Sequence, residues 1–179
     1  GIRYPADIGG MGADCVSFTI LAEELARASI GFAAIVTMQC LMGTDFIYRF
    51  GNDEQKEKCL IPAIKGEKIG TIAFTEPDCG SDLGAIRTRA VKNDRGYVLT
   101  GRKMWITDGD VADFVTVAAT TDPGKRVGGI GFFLVEKGTP GFSLGQKIEK
   151  ISARGAATVE LIFDECQLPV TSLMGAEAK

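Results

Sequence analysis

The chain has 179 residues, of which 45% are hydrophobic and 24% are charged, and its net charge is −3. Its 20 basic and 23 acidic residues are mixed along the sequence, so no basic stripe indicates a nucleic-acid partner. No apolar run approaches the roughly 20 residues that a membrane helix needs, so we predict no membrane partner. We expect a soluble globular protein with one good core or two small ones.

The chain contains no histidine, which excludes Ser-His and Cys-His nucleophiles and His-ligated metals within it. Its five cysteines are odd in number, widely spaced and free of CxxC pairs. We therefore predict reduced thiols in a cytoplasmic compartment, with no disulfide frame and no metal site. No N-terminal segment has the charged start and apolar middle of a secretory signal. Any chemistry must come from carboxylates, hydroxyls, backbone amides or a cofactor.

The first part of the chain, up to Gly66, has a helical apolar period. Ser29 is a good N-cap for the second predicted helix, and Asn52 with Gln55 forms a capping-box pattern at the start of the third. Pro62 is expected to break or kink that third helix. The three helices are predicted over about Asp14–Ala28, Ser29–Phe50 and Asn52–Gly66.

After Gly66 the sequence consists of short segments rich in β-branched and aromatic residues, separated by Gly, Pro, Asn and Asp turns. Seven strands at this spacing favour an antiparallel barrel or sandwich. The fold class is therefore predicted as α+β, with a partial all-α domain at 1–66 and a β domain at 67–179. The predicted strands are Lys68–Thr75, Ile86–Lys92, Tyr97–Ile106, Phe114–Thr120, Ile130–Glu136, Phe142–Gln146 and Val159–Phe163.

The end of the first predicted strand runs into a turn suited to an anion. Pro77 holds Glu76 extended, and residues 78–81 then offer successive backbone N–H groups. Gly80 permits close approach of a ligand, and the Ser81 hydroxyl adds a donor. Such a turn suits a pyrophosphate oxygen. An ordinary Gly-Ser turn capped by Asp82 explains the same residues.

The strand that ends at Thr107 carries a second candidate feature. Strict alternation places Lys103, Trp105 and Thr107 on one side, with Trp105 and Thr107 about 7 Å apart. An indole plane and a hydroxyl at this spacing match a flat heterocycle, because one covers its face and the other hydrogen-bonds its edge. The alternative is an indole buried in the core beside a strand-end threonine.

Together the two segments resemble motifs of the acyl-CoA dehydrogenase family. The matching patterns are Thr75-Glu76-Pro77-x-x-Gly80-Ser81-Asp82 and Lys103-Met104-Trp105-Ile106-Thr107-x-Gly109, in the family's order and at its separation. The resemblance extends over essentially all 179 residues. It departs from the usual pattern at Phe74, Cys79 and Asp108, and near Arg154, whose role stays open.

The resemblance implies an FAD-dependent enzyme of fatty acid metabolism and a set of site residues. Those implied for FAD are Phe74, Thr75, Gly80, Ser81, Trp105, Ile106 and Thr107. Those implied for the acyl-CoA substrate are Ser81, Met38 and Met42. The two methionines are also explained as helix core.

By the same resemblance, the intact enzyme dehydrogenates an acyl-CoA thioester to the trans-2-enoyl-CoA and passes electrons to an electron-transfer flavoprotein. The chain is then a middle piece without the C-terminal helices that carry the catalytic carboxylate, so it has no catalytic residue of its own and is expected to be inactive alone. The intact protein is expected to be a homotetramer in the cytoplasm, or in the mitochondrial matrix of a eukaryote. The alternatives are an acyl-CoA oxidase, an enoyl-CoA-type reductase or a nitroalkane oxidase on the same fold, or a non-catalytic flavin- or CoA-binding module.

Overall fold

The fold is an N-terminal group of helices followed by a β-sheet, in a computed structural model that describes residues 1–175. The α+β class predicted from the sequence is confirmed. The last four residues of the predicted β domain lie outside the described residues. The helices are α1 (Cys15–Ala28), α2 (Ile30–Met38), α3 (Asp45–Phe50), α4 (Asp53–Gln55) and α5 (Ile61–Ile64), with π-helical turns at Gln39–Gly43 and Lys56–Leu60.

The predicted helix caps form. The Ser29 hydroxyl accepts a hydrogen bond from the Phe32 amide, and Asn52 and Gln55 make the reciprocal bonds of a capping box. The second and third predicted helices are each interrupted by a π-helical turn rather than continuous. Pro62 is the second residue of α5 and is separated from the second of these turns by Ile61. Its missing N–H group fits an interruption of the helix at this point.

One helical run, 30–50, is long and apolar enough to cross a membrane by length and composition, so the prediction that no run approaches this length was wrong. The core helix of a globular protein meets the same test. In the most apolar stretch of this run, 33% is buried inside the protein. The run also carries an ion pair, Arg49 Nε to Asp45 Oδ2 at 2.6 Å.

In the described part of the chain, eight strands form one sheet. They are β1 (Gly70–Ala73), β2 (Arg89–Asn93), β3 (Gly96–Thr107), β4 (Phe114–Thr120), β5 (Ile130–Glu136), β6 (Phe142–Lys147), β7 (Thr158–Leu168) and β8 (Leu173–Met174). Their order is β6-β7-β3-β2-β4-β5-β8, with β1 beside β4.

The sheet is mixed and open, so the predicted antiparallel barrel or sandwich was wrong in its detail. β1 runs parallel to β4, and β2 joins β4 through one parallel pairing, Arg89 with Thr120. The connection from β1 to β4 is a long crossover that contains β2 and β3 instead of a hairpin turn, and such a connection allows the two strands to be parallel neighbours. Hairpin-like spacing in the sequence does not reveal that crossover.

The main core lies on one face of the sheet, where alternate side chains of β3, β4, β5 and β7 meet. Leu99, Val117, Phe133 and Leu161 are fully buried there. A second cluster joins the helices to the sheet, with Ile47 and Leu60 packed against Phe114. The helices are thereby fixed beside the start of β4, the strand that pairs with β1.

Candidate functional site

A β-bulge directs Trp105 out of the sheet. Lys103 pairs with Leu161 and Ile106 with Val159, so β3 carries one more residue than β7 in this interval. Trp105 takes a left-handed backbone conformation, with φ of 62°, inside the bulge. This conformation is costly for a large side chain, and strain of this kind clusters at functional sites.

The bulge also breaks the alternation on which the shared-face prediction depended. Lys103 is completely buried, whereas 57% of the Trp105 surface is exposed. The prediction that Lys103 shares a side with Trp105 and Thr107 was therefore wrong. The alternative that Trp105 is a core indole is also wrong.

The bulge at Trp105 forms one wall of a cleft. The segment after β1, residues 74–81, forms a second wall. Its turn is closed by backbone hydrogen bonds in both directions between Glu76 and Cys79, of 2.8 and 3.2 Å, and the Cys79 thiol donates to the Asp82 carbonyl at 2.9 Å. Within residues 1–175, the amides of Gly80 and Ser81 donate no hydrogen bond. A Cβ built on Gly80 would meet nothing within 4 Å. The turn thus presents two free N–H groups to open space, which suits an oxyanion.

The helical side of the site is shaped by the π-helical turn Gln39–Gly43. The Gln39 side chain accepts a hydrogen bond from the Gly70 amide at 2.8 Å and donates one to the Lys68 carbonyl at 2.9 Å, so it fixes the turn to the start of β1. Met38 and Met42 lie at the two ends of this turn. π-Helical turns occur frequently at functional sites.

These three elements enclose one cleft of about 370 Å³, within the size range of small-molecule sites. All nine residues predicted for FAD or substrate line it, so the structure brings the whole predicted set together. Ile72 and Leu83 also line the cleft and were not predicted, because nothing in their local sequence differs from ordinary apolar positions. The lining is Met38, Met42, Ile72, Phe74, Thr75, Gly80, Ser81, Leu83, Trp105, Ile106 and Thr107.

The two strand-derived walls are held together by hydrogen bonds to backbone carbonyls. The Met104 amide donates to the Thr75 carbonyl at 2.8 Å, and the Thr71 hydroxyl donates to the Thr107 carbonyl at 2.7 Å. Phe74 packs edge-on against Phe46 at 5.3 Å between ring centroids. The Phe74 ring is therefore anchored to the helices while it lines the cleft.

The carboxylates of the turn are all neutralised by cations from other segments. Glu76 pairs with Lys103 at 2.8 Å, Asp78 with Arg87 at 3.2 Å, and Asp82 with Arg126 at 2.9 Å. The Lys103–Glu76 pair is buried and the other two pairs are exposed. A turn that is acidic in sequence is thus compatible with a bound anion.

Comparison with known proteins identifies the family. The model of the acyl-CoA dehydrogenase middle domain matches residues 71–166, and that of the N-terminal domain matches residues 1–67. The chain belongs to the acyl-CoA dehydrogenase family. It is 42% identical over 177 residues to an acyl-CoA dehydrogenase of Bacillus subtilis, which covers 99% of the chain and 47% of the relative. It is also 38% identical, over its full length, to 46% of an acryloyl-CoA reductase (NADH) of Anaerotignum propionicum.

Solved structures of acyl-CoA dehydrogenase relatives have the same fold. Butyryl-CoA dehydrogenase from Megasphaera elsdenii matches 100% of the chain and 48% of its own length, with a TM-score of 0.95 and 38% identity. A chain from the electron transferring flavoprotein structure of Acidaminococcus fermentans matches 99% of this chain and 47% of its own length, with a TM-score of 0.96 and 39% identity. A glutaryl-CoA dehydrogenase from Mycobacterium smegmatis in complex with FADH2 matches 99% of this chain and 45% of its own length, with a TM-score of 0.91 and 38% identity. The chain thus spans about half the length of the relatives it matches.

Proposed function

We propose that the cleft binds FAD and that the chain supplies the flavin site of an enzyme that dehydrogenates an acyl-CoA thioester to the trans-2-enoyl-CoA. The observation that carries this proposal is the cleft itself, in which both sequence motifs and the methionine pair meet. The glutaryl-CoA dehydrogenase that matches at 38% identity holds FADH2, which supports the choice of cofactor.

The residues of the cleft fit the group. Trp105 presents an exposed indole plane, and Thr107 has a hydroxyl with no hydrogen bond in the described part of the chain. We assign both to the isoalloxazine ring, as face and edge contacts. The free amides of Gly80 and Ser81 are assigned to the pyrophosphate. Phe74, Thr75 and Ile106 complete the wall.

FAD, when bound, supplies the hydride acceptor, and the chain's own residues provide the surroundings for that chemistry. Met38 and Met42 form an apolar side that excludes water and adapts to an acyl chain. Ser81 offers a hydroxyl to the thioester end of the substrate. A cleft of this kind orients two reactants against each other.

The general base is absent from the cleft lining. None of the lining residues is ionisable, and the neighbouring carboxylates of Glu76, Asp78 and Asp82 are engaged with cations. We propose that sequence beyond these 179 residues supplies the carboxylate that removes the α-proton, as the half-length match to the relatives suggests. The isolated chain is then inactive.

The electron acceptor that we propose is an electron-transfer flavoprotein. The match to a chain from the Acidaminococcus fermentans electron transferring flavoprotein structure supports it. The intact protein is proposed as a homotetramer, in the cytoplasm or in the mitochondrial matrix of a eukaryote. The similarity to an acryloyl-CoA reductase keeps an enoyl-CoA-type reductase as the second candidate.

The test is turnover of the full-length protein that contains this chain. We expect it to reduce an artificial dye with acyl-CoA as donor and to consume little oxygen, while the 179-residue chain binds FAD without turnover. Oxygen-dependent turnover would support an oxidase instead, and NADH-dependent reduction of an enoyl-CoA would support the reductase. Flavin binding without any turnover by the full-length protein would support a binding module, and turnover by the isolated chain would refute the assignment of the base.

A further inference from the structure

We propose that the buried ion pair between Lys103 and Glu76 is a positioning pair, which sets the two walls of the cleft in register for the flavin. The proposal rests on the function described above. The two side chains are 0% and 5% exposed, and Lys103 Nζ lies 2.8 Å from Glu76 Oε1. Neither residue lines the cleft, so the pair acts through its neighbours and touches no ligand.

Lys103 joins the second wall to the first. Its ammonium donates a second hydrogen bond, of 2.9 Å, to the carbonyl of Phe74, a residue that lines the cleft. Lys103 is also the last residue of β3 in register before the bulge that directs Trp105 outward. The ammonium therefore fixes the backbone of the segment after β1 relative to the base of the bulge.

Glu76 extends the connection to a third segment. Its Oε1 accepts a hydrogen bond from the Thr88 amide at 2.9 Å, and its Oε2 accepts one from the Arg87 amide at 2.7 Å. Burial raises the pKa of Glu76, but the bonds from Lys103 and from the Thr88 and Arg87 amides outweigh that effect and hold the pKa below its ordinary value. Glu76 is thus ionised at neutral pH and accepts from three donors.

The chemistry of the pair favours a positioning role over a purely stabilising one. Two charges removed from water gain little net stability, and apolar residues of the same volume often stabilise as well. Apolar residues would not make the directional bonds to the Phe74 carbonyl and to the two amides. The pair also neutralises the carboxylate that begins the turn assigned to the pyrophosphate.

The experiment uses Trp105, the one tryptophan of the chain, as a reporter on the cleft wall. Lys103→Met and Glu76→Gln are compared with Leu168→Ala, a fully buried core position at the opposite end of the β3–β7 ladder. All are measured at a temperature where circular dichroism shows them folded. The readouts are iodide quenching of Trp105 without ligand, and the FAD dissociation constant.

We expect Lys103→Met and Glu76→Gln to change Trp105 quenching and to weaken FAD binding by about tenfold or more, which is 1.4 kcal/mol. We expect Leu168→Ala to lower the melting temperature while quenching and FAD affinity stay within about twofold of wild type. The Lys103→Met/Glu76→Gln double variant should bind FAD no more weakly than Lys103→Met, because the two residues act as one unit.

The proposal would be overturned if folded Glu76→Gln showed the same Trp105 quenching and the same FAD affinity as wild type. It would also be overturned if Leu168→Ala changed both readouts as much as Lys103→Met and Glu76→Gln do. If Lys103→Met does not fold, Glu76→Gln decides alone, since its amide oxygen still accepts from a backbone N–H. If the wild-type chain binds no FAD, the proposed function fails. In that case Trp105 quenching still decides whether the pair positions the wall.

Discussion

The sheet and the helices of this chain differ in how they use their apolar residues. Phe163 on β7 is 2% exposed and stacks on Phe142 at 5.1 Å between ring centroids. Helix α1 has no buried residue, and Val16 and Ile20 on its apolar face are 65% and 56% exposed. Apolar residues recur periodically in both regions, but those of the sheet form a closed core and those of α1 form an open face.

This difference shows that amphipathic periodicity identifies an element but not what covers it. Buried sheet residues contribute to stability in full, whereas an exposed apolar face contributes little within these 179 residues. The cleft lies between the two regions, with two walls from the sheet and one from the helices. Its walls should therefore differ in rigidity.

The largest expected effect is on the sheet. Phe163→Ala should lower the free energy of unfolding by about 3–5 kcal/mol, because it opens a cavity in the main core. Denaturant unfolding of the chain measures this loss. A loss below about 1 kcal/mol would show that the sheet core is not closed as described.

The next effect is on the wall that the bulge presents. Trp105→Ala should weaken FAD binding by about 1–3 kcal/mol, the range of base–aromatic stacking, and alter the visible absorption of the flavin. Because the indole is exposed, the melting temperature without FAD should change little. Equal melting losses with and without FAD, together with normal flavin content, would contradict the assignment.

A pH series tests the buried pair that joins the walls. The pKa of folded Glu76 lies below its ordinary value of 4.5, so the stability that ionised Glu76 contributes is present above pH 4.5 and is lost as the pH falls through the folded pKa. The difference in melting temperature between wild type and Glu76→Gln should therefore be largest near neutral pH and shrink in acid. A difference that is constant from neutral to acidic pH would be inconsistent with an ionised partner.

Thr107→Val tests a single hydrogen bond beside Trp105. It removes a hydroxyl but keeps the branched shape, and should weaken FAD binding by on the order of 1 kcal/mol. Isothermal titration with FAD measures the change. An affinity equal to wild type would remove Thr107 from the flavin contacts.

The smallest effect should be on α1. Ile20→Ala should change the free energy of unfolding by no more than about 0.5 kcal/mol, since the side chain is already exposed. Denaturant unfolding in parallel with Phe163→Ala provides the contrast. A loss comparable to that of Phe163→Ala would mean that the apolar face of α1 is covered.

The sequence predicts the elements and the cleft better than the sheet's topology. The motifs predict that Thr75, Gly80 and Thr107 meet at one cleft, and the structure brings them together there, because turn chemistry and strand ends are local properties. The parallel β1–β4 pairing is set by a crossover between distant segments, which local patterns do not contain. The burial of Lys103 was not predicted, because one extra residue in β3 reverses the alternation from which its side of the strand was predicted.

The most direct test of the flavin assignment is a titration of the chain with FAD, followed by the emission of Trp105. Since Trp105 is the one tryptophan in the sequence and lines the cleft, bound FAD should quench its emission in a saturable manner. A free tryptophan derivative in the same titration corrects for absorption by the flavin. Saturable quenching of the Trp105 emission by FAD, with no saturable quenching of the free derivative, would support the assignment. FAD that remains bound through gel filtration without quenching Trp105, or FAD that does not bind at all, would contradict it.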